Sequence, residues 1–80
     1  MVSLKKKILL CYENPTKLKY QEIKIILERL GFVFKQAKGS HVKVYHDETN
    51  IRYSFAIHEN DCKPYQKVAI SKLLIKHNLI

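Results

Sequence analysis

Residues 41–57, HVKVYHDETNIRYSFAI, decide the fold because two alternating segments flank a short polar loop. In His41–His46 and again in Ile51–Ile57, apolar side chains recur at every second position, which is typical of strands with one buried face. Asp47–Asn50 between them has the polar composition of a hairpin loop. We therefore predict an antiparallel pair of strands in this stretch.

Segments on the N-terminal side add further elements to this pair. Phe32–Gln36 predicts a first strand that ends at a turn at Lys38–Gly39. Tyr20–Leu30 predicts an amphipathic helix that stops at Gly31. The apolar residues of this helix share one face: Ile23, Ile26, Leu27 and Leu30. Leu4–Tyr12 predicts a further, short helix at the start of the chain.

The C-terminal side is predicted as a polar loop, His58–Lys63, followed by a helix that starts at Pro64. That helix is expected to bury Ala69, Ile70, Leu73 and Leu74. The resulting order is helix, three strands, helix, so the fold class is α+β. We expect one domain over residues 1–80, with a three-stranded antiparallel sheet that has helices on one face and solvent on the other.

Charge narrows the class of partner. The 80 residues contain 15 Lys and Arg against 7 Asp and Glu, which gives a net charge of +8. RNA, DNA, an anionic membrane surface or an acidic protein would each relieve the repulsion among these charges. The apolar runs fall short of the roughly 20 residues that span a bilayer, and the start does not resemble a signal peptide. We therefore expect a cytoplasmic protein that does not act on membranes.

The size and the cysteines bear on cofactors. A chain this short has a small core, and a deep pocket for a large cofactor would consume most of it. Cys11 and Cys62 lie far apart and lack partners at metal-ligand spacing, so neither a zinc site nor a disulfide is indicated. We expect no cofactor and no bound metal.

Strand alternation sorts the side chains between the two faces. The apolar sets belong to the covered face, and the solvent face then collects His41, Lys35, Lys43, Tyr45 and Arg52. The three cations can neutralise phosphates, Tyr45 offers a stacking surface, and His41 supplies an imidazole, the type of side chain suited to take up and release protons near neutral pH. RNA carries its own nucleophile, so a base, an acid and cations suffice to cleave it.

The other histidines are weaker candidates. His46 and His77 are interpreted as a solvated turn residue and a helix-terminal cation. His58, just after the third strand, is kept for a supporting role. Basic residues on a strand's solvent side are also ordinary solubility devices, so this surface alone favours nucleic-acid binding over catalysis.

Three short motifs resemble a known family. Gly31-Phe32, Lys38-Gly39-Ser40-His41 and Lys63-Pro64-Tyr65 at the entry to a helix are similar to the HicA toxins of bacterial and archaeal toxin–antitoxin pairs. The resemblance runs from about Glu13 to the C-terminus. Many relatives carry a second histidine after the first, where this chain has Val42.

The resemblance implies a fold like the double-stranded-RNA-binding domain and an endoribonuclease that cleaves mRNA. It also implies a HicB-type antitoxin that covers the active surface. The catalytic histidine of the family falls on His41, where Gly39 permits the turn and Ser40 is expected to orient the substrate or the imidazole. The motif does not assign Lys35, Lys43 or Arg52, which are predicted from strand alternation alone. Lys38, in the turn, is expected to contact phosphate together with them.

The leading hypothesis is therefore a metal-independent endoribonuclease toxin in which His41 acts as base or acid. A non-catalytic RNA-binding module of the same fold is the alternative. A third possibility is an interaction protein whose basic face binds only an acidic partner.

Overall fold

A computed structural model describes residues 3–80, so Met1 and Val2 of the predicted domain lie outside the described residues. The structure has an α+β fold, as predicted, with three helices and a four-stranded antiparallel sheet. The helices are α1 (Leu4–Glu13), α2 (Tyr20–Arg29) and α3 (Pro64–Lys76), with a 3₁₀ turn at Pro15–Lys17. The strands are β1 (Val33–Gln36), β2 (His41–His46), β3 (Ile51–His58) and β4 (Asp61–Cys62).

The sheet has the order β1-β2-β3-β4, and each neighbouring pair is antiparallel. Three of these strands match the predicted ones closely, whereas β4 lies inside the segment predicted as a loop. The reason is the tight turn before it. Glu59 and Asn60 both have positive φ, 53° and 66°, as in the two-residue turns that reverse a strand directly. Cys62 then pairs with Ile57, which makes this part of the predicted loop wrong.

The hydrophobic core lies between the sheet and the helices. Phe55 is fully buried at its centre, and the ring of Tyr20 from α2 meets it edge-on at a centroid distance of 5.5 Å. The apolar stripe of α2 is buried as predicted at Ile23, Ile26 and Leu27. At Gly31, with φ of +97°, the helix stops, and the backbone N–H of Phe32 donates back to the Leu27 carbonyl.

Helix α3 differs from its prediction in the residues that it buries. Ile70 and Leu74 are in the core, but Ala69 and Leu73 are only partly covered. Three polar residues of α3 are buried as well: Gln66, Lys67 and Ser71. Each has a partner, because a buried polar group is costly without one.

The partners of these polar residues connect α3 to the rest of the fold. The Gln66 side-chain oxygen accepts hydrogen bonds from the backbone N–H groups of Ala56 and Lys63, both at 3.3 Å. The Ser71 hydroxyl donates to the backbone carbonyl of Cys11 and so joins α3 to α1. Burial raises the pKa of the Cys11 thiol to about 11, which keeps this cysteine uncharged and unreactive.

Asp61 in β4 joins three elements through one carboxylate. It accepts hydrogen bonds from the backbone N–H of Tyr20 at the start of α2 and from its own neighbour Cys62, both at 2.9 Å. It also pairs with the buried Lys67 ammonium at 3.2 Å. Burial alone would raise the pKa of Asp61, but these hydrogen bonds and the Lys67 charge hold it below its usual value.

The prediction that His46 is a solvated turn residue is wrong. It is 5 % exposed and lies on the covered side of β2, against the ring of Phe32 at a centroid distance of 4.9 Å. Its Nε2 lies 2.9 Å from the carbonyl oxygen of Leu30, and its Nδ1 lies 2.9 Å from the hydroxyl of Thr49. Both ring nitrogens therefore have hydrogen-bond partners. Through these two contacts the buried imidazole connects the end of α2 to the β2–β3 hairpin.

Candidate RNA-binding and catalytic surface

The link between β1 and β2, residues 37–40, delivers His41 to the start of β2. The backbone N–H of Ala37 donates to the His41 carbonyl at 2.9 Å, and Gly39 adopts a φ of +69° that an L side chain rarely accepts. The side-chain amide of Gln36 donates to the carbonyls of Gly39 and His41, both at 3.2 Å. The turn is thus held by its own backbone and by one side chain that the sequence pattern did not single out.

Gln36 gave little sequence signal. It ends a strand and is exposed, and glutamine is common at such positions for reasons of solubility alone. Only the three-dimensional path of the turn brings the side-chain amide of Gln36 within reach of the carbonyls of Gly39 and His41.

The sheet register brings His41 and His58 to the same face. His41 lies opposite Ala56, and His58 is two residues further along β3. The backbone N–H of Ile57 donates to the Ser40 carbonyl at 2.9 Å, so the pairing continues one residue past the end of β2. Both imidazoles are exposed. His41 makes no ring hydrogen bond to any described residue, so both of its nitrogens are available to a substrate.

The solvent face of the sheet carries the predicted cations in adjacent positions. Lys35 pairs with Lys43 across β1 and β2, and Tyr45 pairs with Arg52 across β2 and β3. All four residues are exposed. A shallow concavity of about 560 Å³ runs along this face. It is lined in part by Lys43, Tyr45 and Arg52, and by one acidic residue, Asp47.

The electrostatics of this face favour an anion. Two lysines directly opposite each other on neighbouring strands repel, which costs stability unless a counter-charge is present. The two ion pairs of residues 3–80, Lys7 with Glu22 and Lys67 with Asp61, involve none of the solvent-face cations. Lys38, at the tip of the β1–β2 link, is exposed as well.

Ser40 lies on the other side of the strand from His41. It lines a separate cleft on the helix side of the sheet, together with Phe34 and Val42. This placement follows from alternation, since consecutive residues of an extended strand point to opposite faces. The Ser40 side chain therefore lies on the face of the sheet opposite to the His41 imidazole. The expected hydrogen bond from Ser40 to the imidazole is not among the side-chain contacts of the described residues.

Other chemistries find no comparable arrangement. Across residues 3–80, no group of three or more His, Cys, Asp or Glu side chains is placed to hold a metal ion. Cys62 is buried, and burial raises the pKa of its thiol, so it lacks the exposed thiolate of a reactive cysteine. None of the helices described is both long and apolar enough to cross a membrane.

Comparison with known families supplies the class of protein. A family model described as the HicA toxin of bacterial toxin–antitoxin systems matches residues 20–76, more than two thirds of the chain. The chain belongs to the HicA toxin family. HicA proteins are the toxin halves of toxin–antitoxin pairs and generally act as ribonucleases. No curated protein and no solved structure gave a significant match.

The matched segment runs from the first residue of α2 to the last residue of α3. It therefore contains the whole sheet, with His41, His58 and the solvent-face cations. Helix α1 lies outside the segment that defines this HicA domain.

Proposed function

We propose that this HicA protein is an endoribonuclease that cleaves mRNA in the cytoplasm, with His41 as the catalytic group, and that a HicB-type antitoxin neutralises it. The observation that carries the proposal is the position of His41. Its exposed, unbonded imidazole stands at the end of a strand, on the same face as a row of cations that lack acidic partners among the described residues.

The chemistry needs no bound metal because RNA supplies the nucleophile. A base removes the proton of a 2′-hydroxyl, and the resulting oxyanion attacks the adjacent phosphorus. The bond to the 5′-oxygen of the next nucleotide then breaks, and that oxygen takes up a proton. The products are a 2′,3′-cyclic phosphate and a free 5′-hydroxyl. His41 is the base in this scheme, or the acid in the return of the proton.

His58 supports the same step from the neighbouring strand. It stands diagonally across from His41, and diagonal residues on adjacent strands are about 7–8 Å apart, with their Cβ atoms somewhat closer. That separation leaves room for a phosphodiester between the two imidazoles. In the role proposed here, His58 orients the phosphate or exchanges the second proton.

The basic residues hold the substrate and stabilise the charge that develops on the phosphorane. Lys35, Lys43 and Arg52 contact phosphates along the sheet, and Lys38 does so at the turn. Tyr45 stacks on an exposed base beside Arg52. Gly39 keeps the turn in its left-handed conformation. An acidic surface on a HicB-type antitoxin would match this face and exclude RNA from it.

The test is incubation of the purified protein with end-labelled RNA in EDTA. We expect the wild type to cleave and His41→Ala to cleave at least about 100-fold more slowly, which is the usual contribution of a general acid or base. His77→Ala is the matched control, since it removes an imidazole at the C-terminal end of α3. Circular dichroism and thermal melting establish that all three proteins are folded.

Three outcomes would overturn the proposal in different ways. Wild-type cleavage by His41→Ala would remove the catalytic role of that residue. Salt-sensitive RNA binding without cleavage would indicate a non-catalytic module of the same fold. Absence of RNA binding even at low salt would indicate a protein whose basic face serves an acidic partner alone.

A further inference from the structure

A second cleft lies on the helix side of the sheet, directly behind the turn that carries His41. It has a volume of about 480 Å³, within the range of pockets that hold small organic ligands. Its apolar lining comes from three strands, at Phe34, Val42 and Ile57. Its polar lining comes from Tyr20 and Lys24 on α2 and from Gln36 and Ser40 at the turn. None of these residues belongs to the cationic face described above.

The polar groups of this cleft have capacity left for a ligand. The amide nitrogen of Gln36 is used within the turn, but its oxygen accepts no hydrogen bond from the described residues. The hydroxyl of Ser40 and the ammonium of Lys24 likewise have no hydrogen-bond partner within residues 3–80. A concave site in which unengaged polar groups stand beside apolar side chains can hold a small polar molecule.

Lys24 covers an aromatic surface in this cleft. Its Nζ lies 5.6 Å from the centroid of the half-buried Phe34 ring, a cation–π arrangement. No carboxylate in the described chain pairs with this ammonium. The lysine side chain is flexible, so it can leave the ring and follow an anion or a base carbonyl. Its departure exposes a face on which another ring can stack.

Adjacent residues connect the cleft to the proposed catalytic position. Ser40 lines the cleft, and His41 is the next residue, on the opposite side of the strand. An RNA strand that presents a phosphate to His41 can pass the rim at Ser40, so that its neighbouring nucleotide turns towards the helix side. The net charge of +8 and the free Lys24 favour an anionic polymer over a second copy of this chain.

We propose that this cleft binds one unpaired nucleobase of the RNA, adjacent to the phosphate held at His41. The base stacks on Phe34 in place of Lys24, and its polar edge bonds to Ser40 and to the free oxygen of Gln36. Sequence-tolerant stacking on an aromatic side chain is a common way to hold single-stranded RNA. This inference rests on the proposed ribonuclease function, since it requires RNA as the ligand.

The experiment measures the affinity of the full chain for short 2′-O-methyl oligoribonucleotides, which lack the nucleophile and cannot be cut. One base at a time is replaced by an abasic nucleotide. We expect one position at which the loss of the base weakens wild-type binding about tenfold, in line with the stacking of a single base. Phe34→Leu keeps an apolar side chain of similar size and should bind the intact oligonucleotide about as weakly as the abasic one.

The decisive result is the loss of the abasic effect in Phe34→Leu. Lys24→Met is a second variant on the same site. It removes the ammonium that leaves the ring to follow the carbonyl of the bound base, so we expect it to reduce the abasic effect as well. Lys76→Met, at an exposed position at the end of α3, removes the same charge away from the cleft. It should weaken binding of the intact and abasic oligonucleotides equally, because only the general electrostatic attraction changes.

Several results would overturn the inference. An abasic effect of unchanged size in Phe34→Leu would show that the base is held elsewhere, and tolerance of abasic nucleotides at every position would show that no base is held. If Phe34→Leu left RNA binding intact but weakened antitoxin binding, the cleft would belong to a protein partner. Absence of wild-type binding to any oligonucleotide would instead contradict the proposed function itself.

Discussion

The two histidines at the ends of β2 have opposite environments. His41 begins the strand, is exposed, and has no ring hydrogen bond to the described protein. His46 ends the strand, is 5 % exposed, and has a partner at each ring nitrogen. The two positions are five residues apart, an odd number, so alternation sends their side chains to opposite faces. The same residue type therefore serves packing at one end of the strand and is left available for chemistry at the other.

The largest effect on stability is expected for a substitution of His46, the buried histidine of the two. His46→Ala leaves the Leu30 carbonyl without its donor and opens a cavity beside Phe32, so we expect a loss of about 2–4 kcal/mol in the free energy of unfolding. His41→Ala should change stability by less than about 0.5 kcal/mol, as exposed substitutions usually do. Urea denaturation measures both. Equal losses for the two variants would contradict the contrast.

A smaller effect is expected at Asp61, the ionised partner of the buried Lys67. Because the pKa of Asp61 is lowered in the folded state, its carboxylate stabilises the fold at pH values above the unfolded pKa of about 3.9. That contribution is lost as the pH falls through the folded pKa. Asp61→Asn should cost about 1–2 kcal/mol at neutral pH, since Lys67 loses its counter-charge.

The pH series of unfolding curves gives the check on Asp61. The difference in free energy of unfolding between the wild type and Asp61→Asn should shrink as the pH is lowered below about 4 and on through the folded pKa. There the wild-type carboxyl becomes protonated and, like the asparagine, carries no charge. Asp47→Asn, in the exposed β2–β3 loop, is the control and should show little difference at any pH. A difference that stays constant down to acid pH would rule out the ionised carboxylate as the cause.

A small change in stability is expected at Lys43 on the exposed side, where the main effect should fall on RNA binding. Lys43→Ala removes one of two facing lysines, so stability should stay constant or rise by up to about 1 kcal/mol. RNA affinity should fall several-fold, and the slope of log affinity against log salt should fall by about one. Filter binding at several salt concentrations measures affinity and urea denaturation measures stability, with Lys72→Ala on α3 as the control. A clear loss of stability would place Lys43 in the packing.

Local sequence pattern was sufficient for most of the elements. The helices and β1 to β3 lie within one or two residues of their predicted bounds, because turn chemistry and periodicity act over short distances. The solvent face was predicted in the same way, and Lys35, Lys43, Tyr45 and Arg52 do lie there. Their roles in binding RNA stay predictions.

Three polar residues have partners in other elements that the sequence did not predict: His46, which was wrongly predicted as solvated, and Asp61 and Gln66. His46 bonds to Leu30, Asp61 bonds to Tyr20, and Gln66 bonds to Ala56. A polar residue is predicted to be exposed, since burying a polar side chain without a hydrogen-bond partner is unfavourable. The partners that make burial tolerable come from other elements, and no local pattern reports them. The strand β4 was missed for the same reason, because its two residues look like loop until they pair with β3.

The sequence by itself determined which face of each strand a side chain occupies, because alternation is a property of the extended backbone alone. Alternation is enough to separate His41 from Val42 and Val44. Only the tertiary structure fixed the register between the strands, and so set His58 diagonally across from His41, Lys35 against Lys43, and the cleft behind Ser40. These arrangements depend on contacts between residues far apart in the chain, where the free energy of packing rather than local geometry makes the choice.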